Sequence, residues 1–370
     1  MFSSVKLLTC VPTYLKSGFF RKLSTSMELT EVVACLNKLA PLHNAGSWDN
    51  VGLLVEPSPP HTVSRIMLTN DLTETVLQEG ISANVNMIVS YHPPIFRPLK
   101  RLTMSTWKER IVVKSLENRI AIYSPHTACD AVQGGVNDWL ASGLGEMKSI
   151  KPIIRSNIKA DNYSVSIAIQ SSNDKDLLDS FEQNLSQIVK FVRRTNVDAI
   201  EYECQCAKSK MKDIVDMSHT YNLDAKFNVI ELAELPASDT GMGRLCVLNT
   251  PCTVAELITR IKKLMSIPYV RLSLGSDKTV TSMVNTVALC AGSGSSVLSG
   301  VKADVYLSGE MSHHEVLDAA SNGVTTVLCE HSNTERGHLK SMKKSLEDML
   351  GSSLVKIIVS LVDEDPLHIC

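Results

Sequence analysis

The sequence predicts an α/β protein with mostly parallel sheets, interrupted by a smaller α+β unit. Short apolar strands alternate with amphipathic helices over residues 28–150, and the same alternation returns over residues 239–370. Between them, residues 151–238 contain strands in which apolar and polar residues alternate, as in a sheet with one face exposed to water. Alternating strands and helices favour parallel sheets, because the helix returns the chain to the starting edge.

The first region opens with a helix, since apolar residues recur at helical spacing from Leu29 to Leu39 and Thr30 or Ser26 can cap it. A polar turn then leads into a short strand near Val55. The remaining predicted elements are a strand at 66–68, a helix at 72–79, strands at 86–90 and 119–123, and a helix at 107–117 between those two strands.

The middle region reads as strand, helix, strand and helix, at 163–170, 177–189, 200–206 and 211–221. This pattern predicts a small ferredoxin-like domain at 151–238. From residue 239 the predicted strands are 244–248, 286–290, 305–307, 324–329 and 355–360, and the predicted helices are 254–265, 312–321 and 341–350.

Composition narrows the classes of function. Of the 370 residues, 44% are hydrophobic and 21% are charged, which is the balance of a globular protein. No apolar run is long enough for a membrane span, and a net charge of −2 provides no general attraction to nucleic acid. The ten cysteines form no CxxC pair, so we expect reduced thiols rather than a zinc site.

Residues 1–27 differ from the rest of the chain. They contain four basic residues, many hydroxyl side chains and no acidic residue. This composition is that of a mitochondrial transit peptide, and it is equally that of an untargeted extension.

Three predicted strands end in residues that bind metals. Residues 87–91 lead into His92, residues 120–123 lead towards His126, and residues 324–329 lead towards His331. Ligands in open α/β sheets bind beyond the carboxyl ends of strands, so we expect these imidazoles at one edge. Asp130 and Glu335 each follow a histidine by four residues, which places each carboxylate on the same helical face as its imidazole.

This set of ligands indicates transition metals. Imidazole with carboxylate suits zinc, iron, manganese, nickel or cobalt rather than calcium. Three histidines and two carboxylates exceed one four-coordinate site and suit two ions about 3.5–4 Å apart. Taken singly, a histidine at a strand end is more often a surface or capping residue, and Asp130 can be a turn residue and Glu335 a solvated helix charge.

Several further residues are weaker candidates. Glu310 and His314 can support the ligands or carry protons as catalytic groups, or they can be a helix cap and a solvated histidine. Asp49, Asn70 and Asp71 lie at turns beside strand ends. The loop at 292–296 can cradle a phosphate or simply form a tight turn, and it lacks the lysine of a P-loop.

Five motifs in order resemble those of the NIF-three family (NGG-one interacting factor three), also described as GTP cyclohydrolase one type two-like, and most of all its animal members. They are SWDNVGL at 47–53, YHPPIF at 91–96, SPHTACD at 124–130, SGEMSHH at 308–314 and EHSNTER at 330–336.

The resemblance implies two similar α/β lobes that meet at a two-metal site, in subunits that form dimers and ring-shaped hexamers. Its ligands correspond to His92, His126, Asp130, His331 and Glu335. It also implies that the middle region is an inserted PII- or CutA-like domain. Many bacterial members have a histidine where this chain has Tyr91, which would coordinate weakly or leave that position to water.

Two classes of function follow. The first is a metal-dependent hydrolase that acts on a nucleotide or another phosphoester. The second is a non-enzymatic co-regulator of transcription, which the family's name implies, acting in cytoplasm and nucleus through protein partners rather than through DNA.

Overall fold

The computed structural model describes residues 26–158, 163–169, 174–189, 191–196, 200–232, 235–351 and 354–368. Of the predicted transit peptide or extension at 1–27, all but the last two residues lie outside these ranges. None of the helices in the described ranges has the length and apolarity needed to cross a membrane.

The helices are α1 Leu29–Leu39, α2 Glu74–Ser82, α3 Trp107–Glu117, α4 His126–Ala131, α5 Val136–Ser142, α6 Lys175–Ile188, α7 Met211–Thr220, α8 Val254–Met265, α9 Ser295–Leu298, α10 His313–Ser321 and α11 Leu339–Leu350. The strands are β1 Met27–Glu28, β2 Gly52–Val55, β3 Thr62–Val63, β4 Arg65–Thr69, β5 Met87–Ser90, β6 Ala121–Ser124, β7 Met147–Lys151, β8 Ile154–Ile158, β9 Tyr163–Ile169, β10 Phe191–Asn196, β11 Ile200–Cys206, β12 Ala225–Glu231, β13 Leu235–Met242, β14 Arg244–Thr253, β15 Arg271–Ser273, β16 Met283–Ser293, β17 Val305–Glu310, β18 Thr325–Leu328 and β19 Lys356–Val359.

A five-stranded sheet has the order β19-β4-β5-β6-β2. Its first four strands are parallel, and β2 joins β6 in the antiparallel direction. Successive residues of its strands face opposite cores, so that Leu68 packs towards α1 and α11 whereas Met67 packs towards α2 and α3. Burial on both faces explains why these strands are continuously apolar in the sequence.

A six-stranded sheet has the order β15-β18-β17-β16-β14-β7. Only β16–β17 and β17–β18 are parallel, and the other three pairs are antiparallel. The prediction of mostly parallel sheets is therefore wrong for this sheet, which is mixed. The chain passes from β14 through α8 to β15 at the far edge, in the same direction, and then enters β16 in the opposite direction with no helix among the described residues between them. The strands β14 and β15 therefore run antiparallel to the three central strands.

The two sheets share one hydrophobic core. Residues from the inner faces of both sheets pack with α1, α5, α8 and α11 in a single cluster that runs from Leu29 to Ile357. Strands also cross between the regions, because β19 near the end of the chain pairs with β4 and β7 pairs with β14. The outer faces are covered by α2 and α3 on one side and by α9 and α10 on the other.

The middle of the chain forms a separate antiparallel sheet in the order β10-β11-β9-β12. Its core, which includes Ile167, Phe181 and Tyr202, contains residues between 163 and 227 alone among those described. The predicted alternation is confirmed in β11, where Tyr202, Cys204 and Cys206 are buried and the residues between them are exposed.

The first helix is capped differently from the prediction, since Glu28 and Glu31 form a capping box in place of Ser26 or Thr30.

Candidate metal centre

Side chains from the two large sheets meet at one site. His92 follows β5 of the five-stranded sheet, whereas His331 and Glu335 follow β18 of the six-stranded sheet. One potential ligand atom from each of these three residues lies within 4.8 Å of the other two. The structure therefore brings together three of the five predicted ligands as a group able to hold a metal ion.

Each of the three predicted histidines is held by a carboxylate at Nδ1. Asp71 contacts His92 at 2.9 Å, Glu310 contacts His331 at 2.8 Å, and both oxygens of Asp49 lie 2.8 Å from Nδ1 of His126. A carboxylate at Nδ1 fixes the orientation of the ring and leaves Nε2 available, which is the usual arrangement around a metal-binding histidine.

Glu335 lies between two of the imidazoles. Its Oε2 is 3.4 Å from Nε2 of His92, and its Oε1 is 3.3 Å from Nε2 of His331. The Nδ2 of Asn70 donates a hydrogen bond of 3.1 Å to Oε2, and only 3% of the Glu335 residue is exposed. A buried carboxylate that faces two Nε2 atoms is well placed to share a cation with them.

The remaining predicted ligands lie beside this group. The ring centroid of His126 is 5.3 Å from that of His92. His126 begins α4 with φ +32°, which is uncommon for a residue other than glycine and often marks a functional position. Asp130 is buried in the same helix, but neither residue belongs to the 4.8 Å group.

Tyr91 contacts Asp130. Its hydroxyl donates a hydrogen bond to Oδ1 of Asp130, and burial raises the pKa of Tyr91 well above its ordinary value. Burial also raises the pKa of Asp130 to about 6, although the Tyr91 hydrogen bond acts in the opposite direction. The phenol therefore supports a predicted ligand, whereas the sequence predicted only weak coordination by Tyr91 or its replacement by water.

Without a bound cation, His92 and His331 hold protons at neutral pH. Burial would lower the pKa of His92, but its hydrogen bonds to Asp71 and Glu335 outweigh burial and raise that pKa to about 10. The hydrogen bond to Glu335 raises the pKa of His331 to about 9. The pKa of Glu335 falls to about 2, because its contacts with His331 and His92 outweigh burial. A cation that bound here would take the place of those protons.

Position 292 leaves no space for a side chain beside the ligand atoms. Gly292 has φ +63°, and a Cβ there would lie 2.5 Å from Oε1 of Glu335 and 3.0 Å from Nε2 of His331. Among the described atoms, Oδ1 of Asn70 is buried without a hydrogen-bond partner. Both observations, with the imidazole and carboxylate donors, fit a divalent metal.

The weaker candidate residues differ in whether they contact this centre. Glu310 contacts His331, as above, whereas His314 is exposed on α10, where its ring lies 5.5 Å from that of His313. In the glycine–serine loop, the N–H groups of Gly292 and Gly294 donate to Thr334 and Ser308. Those two groups are not free for a phosphate, so the tight turn is the better interpretation of this loop.

Two aromatic residues near the centre received no role from the sequence. Trp48 and Phe96 are 64% and 40% exposed, and each ring centroid lies within 6.3 Å of the His126 ring. Both occur within the quoted motifs, directly beside Asp49 and within the loop after His92. Their position beside two site residues was the only sequence signal for them.

Comparison with known proteins agrees with these features. Residues 27–366 match the sequence model of the family Duf34/NIF3 (NGG1p interacting factor 3). The chain is 47% identical over 350 residues to NIF3-like protein 1 of Homo sapiens, covering 93% of each protein. It is 30% identical over 358 residues to NGG1-interacting factor 3 of Saccharomyces cerevisiae, covering 93% of this chain and 98% of the yeast protein.

Solved structures share the fold. A Staphylococcus aureus protein superposes with a TM-score of 0.73 at 25% identity, covering 93% of this chain and 99% of the other. A Bacillus cereus protein related to NIF3 gives a TM-score of 0.70 at 22% identity, with the same coverage. The family match over nearly the whole chain, with a relative that is 47% identical, shows that the chain belongs to the Duf34/NIF3 family.

Proposed function

We propose that this protein holds two divalent metal ions and uses them to hydrolyse a phosphoester such as a nucleotide. The observation that supports this most is the shared arrangement of the three histidines, each held at Nδ1 by a carboxylate. The carboxylates of Asp130 and Glu335 are buried beside these histidines, which would be costly for structure alone because charges lose their hydration there.

His92, His331 and Glu335 would hold one ion, and His126 and Asp130 would add the ligands for a second. Zinc, iron, manganese, nickel and cobalt all suit these donors. Bound ions would supply Lewis acidity and lower the pKa of water at the site.

The chain's own residues prepare the site. Asp71, Asp49 and Glu310 keep the Nδ1 protons in place, so that Nε2 of each ring is free to bind. Glu310 is partly exposed, with 49% of its side chain accessible, and can exchange a proton with water through its contact with His331. His314 is exposed on α10 and is the second group that we propose as a proton carrier.

A substrate can reach the centre. The side chains of His92 and His331 are 23% and 38% exposed, whereas Glu335 is almost fully buried. One side of the site is therefore open to water and the other is closed by protein. An anionic phosphoester suits such a site, because the ions would balance its charge.

The test measures metal and hydrolysis in the full-length protein. Mass-spectrometric metal analysis after dialysis should give about two ions per chain, and Glu335→Gln should lose most of them. His219→Gln, which alters an exposed histidine of α7, is the matched control and should keep them. Metal-loaded protein should cleave a nitrophenyl phosphomonoester or phosphodiester, and Glu335→Gln should not. A wild-type protein that binds no metal would overturn the proposal.

A second function is supported by the yeast relative, whose name describes it as an interacting factor. In this case the protein would act as a co-regulator through protein partners in cytoplasm and nucleus, and the metal would stabilise the fold. The same measurements separate the two functions. A protein that keeps its metal but hydrolyses none of the probes would favour the interaction function.

We also propose a domain organisation of two similar lobes, at about 28–150 and 239–370, with a ferredoxin-like domain inserted at about 151–238. The order of strands, β10-β11-β9-β12, with α6 and α7 between them in the chain, supports the inserted domain. A homodimer or hexamer is the assembly that the family resemblance implies. Sedimentation of the full-length protein would test this assembly.

A further inference from the structure

Two exposed aromatic rings stand at the edge of the metal centre. The centroids of Trp48 and Phe96 are 6.0 Å apart at an interplanar angle of 64°, and both rings lie edge-on to His126. Large aromatic side chains usually bury most of their surface, because that burial is strongly favourable. A pair left exposed beside a polar centre therefore indicates a binding function.

The two loops that carry the rings are hydrogen-bonded to each other and to residues of the centre. Asp49, directly after Trp48, accepts from the backbone N–H of Thr127 and contacts His126. The next residue, Asn50, donates from its side chain to the carbonyl of Ile95, which precedes Phe96. This bond ties together the two loops that carry the rings. A Cβ at Gly46 would lie 2.8 Å from Nε1 of Trp48, so one part of the indole rests against that glycine.

Positive charge lies on the same loop as Phe96. Arg97 and Lys100 are exposed, and neither makes an ion pair with any residue in the part of the chain described by the structure. The whole chain carries a net charge of −2, so this is a local concentration of positive charge. A ligand with a planar ring and a negative group would find a partner for each part here.

We propose that Trp48 and Phe96 form a stacking platform for the base of a nucleotide whose phosphate lies at the metal centre. This inference rests on the proposed function and specifies its substrate class. The rings contact His126, so the platform and the centre are continuous. Two side chains are too small an area for a stable contact with a second copy of the chain, which needs about 800 Å² on each side.

The test is calorimetric binding of three small probes to the full-length protein. Adenosine 5′-monophosphate carries the base and the phosphate, ribose 5-phosphate lacks the base, and adenosine lacks the phosphate. The wild-type protein should bind the nucleotide roughly five- to a hundred-fold more tightly than ribose 5-phosphate, the range expected for stacking on aromatic side chains.

The variants assign this preference to the platform. Trp48→Ala should remove most of it, and Trp48→Tyr, which retains a ring, should restore much of it. Trp107→Ala is the matched control, since Trp107 is also exposed, at 46%, but its described ring contact is with Lys108. That variant should bind all three probes as the wild type does.

Metal analysis of the same samples separates the two proposals. Trp48 offers no ligand atom, so Trp48→Ala should keep the wild-type metal content. Loss of metal in Trp48→Ala, or equal affinity of the wild type for the nucleotide and ribose 5-phosphate, would overturn the platform while leaving the metal centre standing. Tight binding of single-stranded RNA without binding of the mononucleotide would also overturn it. Absence of metal from the wild type would overturn the proposed function instead.

Discussion

At the scale of single residues, Gly292 determines how much space lies beside His331 and Glu335. Gly292→Ala should lower metal content at least about ten-fold, because the new methyl group would occupy space within 3.0 Å of both side chains. The left-handed backbone adds about 1–2 kcal/mol of strain. Gly300→Ala is the matched control, since Gly300 has φ +76° and nothing within 4 Å of its Cβ position. Equal metal content in the two variants would contradict this role of Gly292.

His338 links stability to pH. Burial lowers its pKa to about 4 from an ordinary value of 6.5, so the folded protein keeps it neutral while the unfolded chain protonates it. Stability is therefore lost as the pH falls from about 6.5 towards 4, by roughly 2 kcal/mol between pH 7 and pH 5. In metal-free protein, urea unfolding at these pH values should show a smaller loss for His338→Gln than for the wild type. His219→Gln should match the wild type, and equal losses in all three proteins would exclude this effect.

The sequence predicted which residues could bind a metal better than it predicted which side chains contact one another at the centre. His92, His331 and Glu335 were predicted from strand ends and from the four-residue spacing, and they do meet. Asp49 and Asp71 were only weaker candidates, because a turn carboxylate has the same sequence pattern whether or not it binds a histidine. The contact between Tyr91 and Asp130 depends on how α4 packs, which local sequence does not specify.

At the scale of elements, Arg244 joins several parts of the fold. It is buried, and its guanidinium donates to Asp138 of α5 and to the carbonyls of Val132, Gly241 and Gly243. Arg244→Met would leave the carboxylate of Asp138 without its partner and should cost about 3–5 kcal/mol of stability. Urea unfolding would measure this loss. Arg271→Met, which alters an exposed ion pair with Glu330, should cost less than about 1 kcal/mol. Similar losses of stability in both variants would contradict this role of Arg244.

The prediction of elements succeeded where burial is strong. Helices α3 and α8 and strand β11 have the predicted bounds, since each has a clear apolar face. The sequence missed β10 and β12, which are the edge strands of the middle sheet. Edge strands are often polar or charged, as Arg193 and Lys226 are, and they then lack the period that marks a strand.

At the scale of the whole molecule, the middle sheet can be tested as a removable unit. The chain enters and leaves it through β8 and β13, which are antiparallel neighbours, and Ile158 and Leu235 are paired. Replacing residues 159–234 with Asn-Gly should close a hairpin at that pair. The metal content should stay at the wild-type level, because the ligand group lies entirely outside this stretch. A folded deletion variant without metal would show that the middle sheet supports the centre.

The pairing of β19 with β4 has a consequence for synthesis. A ribosome releases β4, β5 and β6 long before residues 356–359 exist, so the edge of β4 waits open while nearly three hundred further residues are made. An exposed apolar strand edge can pair with other chains. The nascent protein is therefore prone to aggregate through this edge until β19 has been made. A truncation before residue 356 would leave the edge of β4 unpaired permanently.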